Sequence, residues 1–153
     1  MGNLLTREDV LSQGKSRPEG SDMQLGTHSS GNLFTKTTRM GRNEGKQAVF
    51  YHSTPVVTWD TNTIVLSTGE WKTVTTKIKI NQTARDFHLG FVLYQERGNW
   101  FVVLRTGEGV DGLPVYDWEN PAEWVDCETH DFTIVRSWRG EIKPFLFFSC
   151  ENK

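Results

Sequence analysis

The residues best suited to chemistry lie in one sixteen-residue stretch, Ser67 to Gln82, which reads S-T-G-E-W-K-T-V-T-T-K-I-K-I-N-Q. It holds a Thr-Gly-Glu turn, one tryptophan, four threonines and three lysines, and it ends in an Asn-Gln pair. If a helix starts near Thr75 or Thr76, Lys77 and Lys79 fall in its first turn, where the macrodipole already places partial positive charge. An anion on the free amides, cradled by the hydroxyls of Thr73, Thr75 and Thr76, would offset that repulsion. A phosphate of a nucleotide or nucleic acid has the right chemistry. The alternative is that both lysines point into water and neutralise Glu70 or the acidic residues further along.

The remaining candidates are sparse. The four histidines are His28, His52, His88 and His130. Cys127-x-x-His130 has the spacing of half a zinc site, but no second pair accompanies it, so no metal is expected. His52 and His88 flank predicted strands, within reach of Asp60 or Asp86. No Ser-His-Asp spacing, glycine-rich phosphate loop or carboxylate-metal motif is present. No catalytic residue and no cofactor is therefore expected, and an enzyme ranks behind a binding protein and a structural component.

The elements that must position these residues are legible from periodicity and turn chemistry. Ala48 to Ser53 and Pro55 to Asp60 are β-branched and aromatic, Asp60-Thr61-Asn62 is a turn, and Thr63 to Leu66 returns as a strand. Trp71 to Ile80 alternates like a strand, yet Ile80, Ala84 and Phe87 follow helical spacing, and Asn81 to Asp86 is poor strand material. The helix is favoured, capped by Thr75 or Thr76. Trp71 is expected to be buried between the hairpins on either side of it. Leu89 to Gln95 and Trp100 to Arg105, closed by Arg97-Gly98-Asn99, form the clearest hairpin. Residues 106–131 carry eight acidic and no basic residues, with Gly112, Pro114 and Pro121 as breakers. They read as a loop-rich insertion with one helical turn at Pro121. Phe132 to Val135 and Pro144 to Phe148 make a last strand pair. The fold class is α+β: a small, mainly antiparallel sheet of hairpins with one short helix after the Thr-Thr-Lys motif.

The block Thr68 to Lys77, with Asn81-Gln82 after it, resembles a group of small proteins of tailed bacteriophages and prophages. That group shows a pattern like G-x-W-x-T-x-T-T-K-x-x-x-N-Q between two short hairpins. His52-Ser53-Thr54-Pro55-Val56-Val57 before it and Gly90 to Val102 after it also fit. The resemblance covers about residues 50–105, and Glu70 departs from the group's usual second glycine. It implies a phage or prophage origin and no particular activity.

Composition bounds the rest. Residues 1–46 hold seven of the fourteen glycines, whereas all six tryptophans and eight of the nine phenylalanines come later. Residues 1–46 are therefore expected to be a flexible or partner-ordered tail, too poor in apolar area to offset its ordering entropy. Residues 47–153 are expected to form one domain. The tail has seven basic and five acidic side chains and the remainder ten and fourteen. Neither has the basic excess of a general nucleic-acid binder. Met1-Gly2 to Thr6 fits a myristoylation pattern that is too short to separate from chance. No secretory signal and no apolar run of membrane-spanning length is seen, so Cys127 and Cys150 are read as reduced thiols.

Trp71, Tyr94, Trp100 and Phe101 could stack bases beside the lysines, or be core and sheet-face residues. Trp118 and Trp124, in the acidic stretch, suit a protein contact or packing over the core. The sequence thus points to a non-enzymatic phage accessory protein that binds a host or phage protein, a nucleotide or another phosphate ligand. Host cytoplasm is the expected location and an oligomer is allowed. The alternative is a virion or assembly component whose tail is ordered by other chains.

Overall fold

The computed structural model describes residues 33–138 and 144–149. Four antiparallel strands open the domain: β1 (Thr38–Asn43), β2 (Lys46–Tyr51), β3 (Thr54–Trp59) and β4 (Thr63–Leu66). Helix α1 (Val74–Asp86) follows, then β5 (Phe91–Glu96), β6 (Asn99–Glu108), β7 (Pro114–Tyr116), β8 (Ala122–Glu123), β9 (Phe132–Ser137) and β10 (Phe145–Phe148). The first sheet has the order β1-β2-β3-β4-β9-β10, and in the second β5, β7 and β8 all pair with β6. The α+β class and the hairpins β3–β4, β5–β6 and β9–β10 are as expected from the sequence.

Local chemistry explains the turns. Asp60 Oδ1 accepts from the backbone N–H groups of Asn62 and Thr63, both at 2.8 Å, which closes the β3–β4 turn. Between β5 and β6, Arg97 and Gly98 have φ of 53° and 82°. Positive φ at both central residues gives the turn the twist that a two-residue hairpin requires.

One core joins the two sheets. Val57, Trp59, Ile64, Leu66, Phe132 and Ile134 of the first sheet share a buried cluster with Phe91, Leu93, Trp100, Val102 and Leu104 of the second. The opposite face of the second sheet has its own smaller cluster, Val92, Tyr94 and Val103, against which Phe101, Tyr116 and Trp118 pack. Tyr94 stacks on Phe101 at 5.5 Å and meets Trp118 at 5.4 Å.

Helix α1 is the unusual element. Its buried residues are Thr76, Lys77, Lys79, Ile80, Asn81, Gln82, Thr83 and Ala84. Most are polar, so apolar burial alone does not hold it, and each polar group needs a partner. Two of them, Lys77 and Asn81, find partners on β5, whereas the buried Gln82 Oε1 has none among the described residues. Asn81 Nδ2 donates to the Leu93 carbonyl at 2.8 Å, and the Leu93 N–H donates to Asn81 Oδ1 at 2.9 Å. One turn earlier, Lys77 Nζ donates to Gln95 Oε1 and sits 5.5 Å from the centre of the Trp100 ring. The geometry is commensurate: four residues of helix rise about 6 Å and two of strand about 6.7 Å. The helix therefore runs antiparallel to β5, with Asn81 on the Leu93 backbone and Lys77 on the Gln95 side chain. Thr83 returns its hydroxyl to the Lys79 carbonyl at 2.8 Å.

Several expectations are corrected. The ambiguous stretch is helical, but the cap is Thr73, whose hydroxyl accepts from the Thr76 N–H at 3.2 Å. Trp71 is not buried: 66% of its surface is exposed. Gly69 and Glu70, at φ 59° and 77°, fold the chain so that the Trp71 N–H returns to the Thr68 carbonyl at 2.9 Å. That turn throws the indole outward, and Trp100 and Trp124 fill the core instead, 5.7 Å apart. At Gly69 a Cβ would meet Thr54 at 2.5 Å, so this turn admits no side chain there. Residues 38–43 lie within the expected tail, yet they form β1, paired with β2 along its whole length. The acidic stretch contributes β7 and β8, and Pro121 precedes a strand, not a helical turn.

Asn81→Ala leaves both Leu93 backbone groups unpaired in the core. It is expected to cost about 2–4 kcal/mol in urea melts and to accelerate amide exchange at Leu93. Trp71→Ala is expected to stay within about 1 kcal/mol of the parent. The reverse ranking would place the domain's anchor at Trp71.

Candidate functional site

The five residues proposed for an anion site are distributed differently by the structure. Thr73 is the helix cap, and its hydroxyl lies 3.0 Å from that of Thr76. Thr75 is exposed, whereas Thr76 and Lys77 are fully buried. Lys79 is 8% exposed, and its ammonium donates to the Leu33 carbonyl at 3.2 Å. The two lysines are thus spent on Gln95 and Leu33, inside the domain. Thr73 already takes the Thr76 N–H, and Lys77 and Lys79 are turned inward, so the five residues are not gathered on one external face.

The tryptophans proposed for a partner contact are packing residues. Trp124 is 3% exposed, touches Trp100 and Phe132 at 5.7 and 5.9 Å, and donates its indole N–H to the His130 carbonyl at 2.7 Å. It presents no surface to a partner. Trp118 is half-buried over Tyr94 and Tyr116. Asp86 pairs with Arg85 at 2.7 Å and Asp60 with Lys46 at 3.7 Å, which leaves His88 and His52 without the expected carboxylates. Among the described residues no group of three or more His, Cys, Asp or Glu could hold a metal ion. Cys127 is buried, and burial pushes its thiol up. Cys150, the Gly2 pattern and residues 1–32 of the expected tail lie outside the described residues.

A cavity of about 500 Å³ opens where the helix ends. Its wall includes Asn81, Arg85 and His88 from the end of α1 and beyond, Gly90 and Phe91 at the start of β5, Arg105 and Tyr116 on β6 and β7, and Leu146 on β10. Arg105 and Tyr116 are direct cross-strand partners. Arg105 is half-buried, and its guanidinium has no hydrogen bond or ion pair among the described residues. Arg85, by contrast, is engaged by Asp86. Burial pushes the Tyr116 phenol up, against the pull of the Arg105 charge, so it remains a neutral donor at neutral pH.

Gly90 completes the geometry. Its φ is 83°, and a Cβ there would lie 2.8 Å from Leu146 Cδ1 and 3.6 Å from Arg105 Nε. The missing side chain keeps the approach to the guanidinium open. Sequence reasoning passed over Arg105, Tyr116 and Gly90, although an arginine ending an alternating strand and a glycine opening one were visible signals.

Residues 22–129 match the family model described as Kyanoviridae Gp96 protein. That span is most of the chain and contains β1 to β8 and α1. The chain therefore belongs to the Kyanoviridae Gp96 protein family, a family of phage proteins. The phage origin implied by the motif resemblance stands. Neither the curated proteins nor the solved structures yielded a match. No helix of the described residues is long and apolar enough to cross a membrane.

The buried Lys79 gives a pH signature. Burial holds its ammonium below the ordinary value of 10.5, so the folded chain releases this proton at lower pH than the unfolded chain. Between the two values the unfolded state binds more protons, and stability rises with pH until 10.5 is passed. Lys79→Met is expected to remove that part of the rise, with a urea midpoint at pH 7 no lower than the parent's. Parallel slopes for parent and variant as pH approaches 10.5 from below would contradict it.

Proposed function

We propose that this Kyanoviridae Gp96 family member is a non-enzymatic phage accessory protein that binds a small anionic ligand in the cavity beyond helix α1. The observation that carries the reading is Arg105. Its half-buried side chain makes no ion pair among the described residues, and an anion would engage the guanidinium through paired, charge-assisted hydrogen bonds. Its setting supports the same reading. The Tyr116 phenol can add a donor, Gly90 leaves the approach open, and Leu89, Leu146 and Pro114 supply apolar walls for the body of the ligand. A concavity of this size with few convergent polar groups is the usual form of a small-molecule site.

This reading keeps the anionic ligand expected from the sequence and moves it from the start of the helix to its end. A nucleotide, another phosphate or a carboxylate meets the basic requirement. The protein would act by sequestering or sensing that molecule in the infected host.

Isothermal titration of the full chain against nucleoside monophosphates, inorganic phosphate and small carboxylates tests the proposal. At least one class is expected to bind with saturation, and Arg105→Gln is expected to weaken it at least tenfold while the urea midpoint stays near the parent's. Lys77→Met should not reproduce that loss in any variant that still folds. No saturable binding by any class, or binding indifferent to Arg105→Gln, would end the proposal.

A further inference from the structure

The cavity crosses the second sheet at Gly90. Leu104 belongs to the core shared by the two sheets, and Val103 to the smaller cluster on the opposite face. Side chains alternate along a strand, so Arg105 falls on the face of Val103. Tyr116, its cross-strand partner, packs on that same face. Ala84, Leu89 and Leu146 belong to the other side: the first two lie in the shared core, and Leu146 packs against it. All five residues line one cavity. Its two halves therefore differ in kind, with a guanidinium and a phenol on one side of the sheet and aliphatic side chains on the other. Gly90 is the crossing point. A Cβ there would lie 2.8 Å from Leu146 Cδ1 and 3.6 Å from Arg105 Nε, so the charge and the aliphatic wall flank the same spot.

We infer that the cavity takes a singly charged carboxylate whose apolar body begins within a bond or two of the carboxyl group, the chemistry of a short aliphatic or aryl carboxylic acid. This rests on the anionic-ligand reading and names its class. The fork of Arg105 meets both carboxylate oxygens side by side. The Tyr116 phenol, which burial keeps protonated, donates to one of them. The body passes Gly90 through the space that a side chain would fill and lies against Ala84, Leu89 and Leu146. The spacing selects against nucleotides. Their phosphate is separated from the base by a ribose, a polar spacer that would stand where Leu146 offers only methyl groups. Helix polarity selects against a second negative charge. Asn81, Ala84 and Arg85 place the last turns of α1 in the wall, and a helix carries partial negative charge at its C-terminal end. A phosphate dianion meets that field with twice the charge of a carboxylate.

The test titrates the full chain, parent and Arg105→Gln, with five probes: hexanoate, acetate, hexanamide, inorganic phosphate and adenosine monophosphate. Acetate lacks the body, and hexanamide lacks the charge. Hexanoate is expected to bind the parent at least tenfold tighter than each of the other four, and Arg105→Gln is expected to abolish its advantage over hexanamide. In a methyl-labelled chain hexanoate should also shift the Leu146 methyl resonances, which acetate leaves in place. If phosphate or adenosine monophosphate binds tightest, through Arg105, the ligand class is wrong and the anion site survives. If hexanoate binds through Arg105 no tighter than acetate and the Leu146 methyls stay still, the apolar body is wrong and the site again survives. If hexanamide matches hexanoate, or no probe binds in an Arg105-dependent way, the inference fails together with the reading beneath it.

Discussion

Two hydrogen bonds between one side chain and one backbone unit hold the position of helix α1. Strand β5 is an edge strand, and an edge strand carried into a core must not leave its outward N–H and C=O groups bare. Asn81 answers both Leu93 groups at once, because a carboxamide offers a donor and an acceptor with the spacing of a peptide. With that pairing set, the register of the whole helix follows. Lys77 comes level with Gln95 and the Trp100 ring, Ile80 and Ala84 face the shared core, and Lys79 reaches the Leu33 carbonyl. A helix of mostly polar residues is thereby buried without relying on an apolar stripe.

The same arrangement explains where open space is found. Asn81 closes the β5 edge at Leu93, and Lys77 braces it through the Gln95 side chain. Past Asn81 the chain leaves the helix through His88, at φ 52°, and Gly90, at φ 83°. The cavity forms at that departure, and β6 and β7 bring Arg105 and Tyr116 to its other side. The aromatic residues divide accordingly. Trp100 and Trp124 fill the space between the sheets, and Tyr94, Phe101, Tyr116 and Trp118 cover the opposite face of the second sheet.

Local signals in the sequence sufficed for the hairpins. Asp60 and Arg97-Gly98 act through their own neighbours, and their turns form as their residue types demand. The helix was legible as a period but not as a role. Lys77 and Asn81 look like solvent-facing polar residues until β5 is placed beside them, and that pairing joins segments separated by a loop. Trp71 misled for a related reason. Its size argues for burial, but two consecutive positive-φ residues before it turn the indole outward, and size carries no information about that direction. Arg105 and Tyr116 were hidden because their contact depends on a register shift in the β6–β7 pair that no local motif announces.

The arrangement at Leu93 can be observed directly through hydrogen-bond scalar couplings. In a uniformly carbon-13 and nitrogen-15 labelled chain, a long-range HNCO experiment should correlate the Leu93 amide nitrogen with the Asn81 side-chain carbonyl carbon. It should also correlate the Asn81 side-chain nitrogen with the Leu93 carbonyl carbon. Both cross-peaks together establish the reciprocal pair on which the helix, the edge strand and the cavity depend. Absence of both, with a Leu93 amide that exchanges as fast as those of exposed turns, would show that β5 is not closed by the helix and that Asn81 does not set its register.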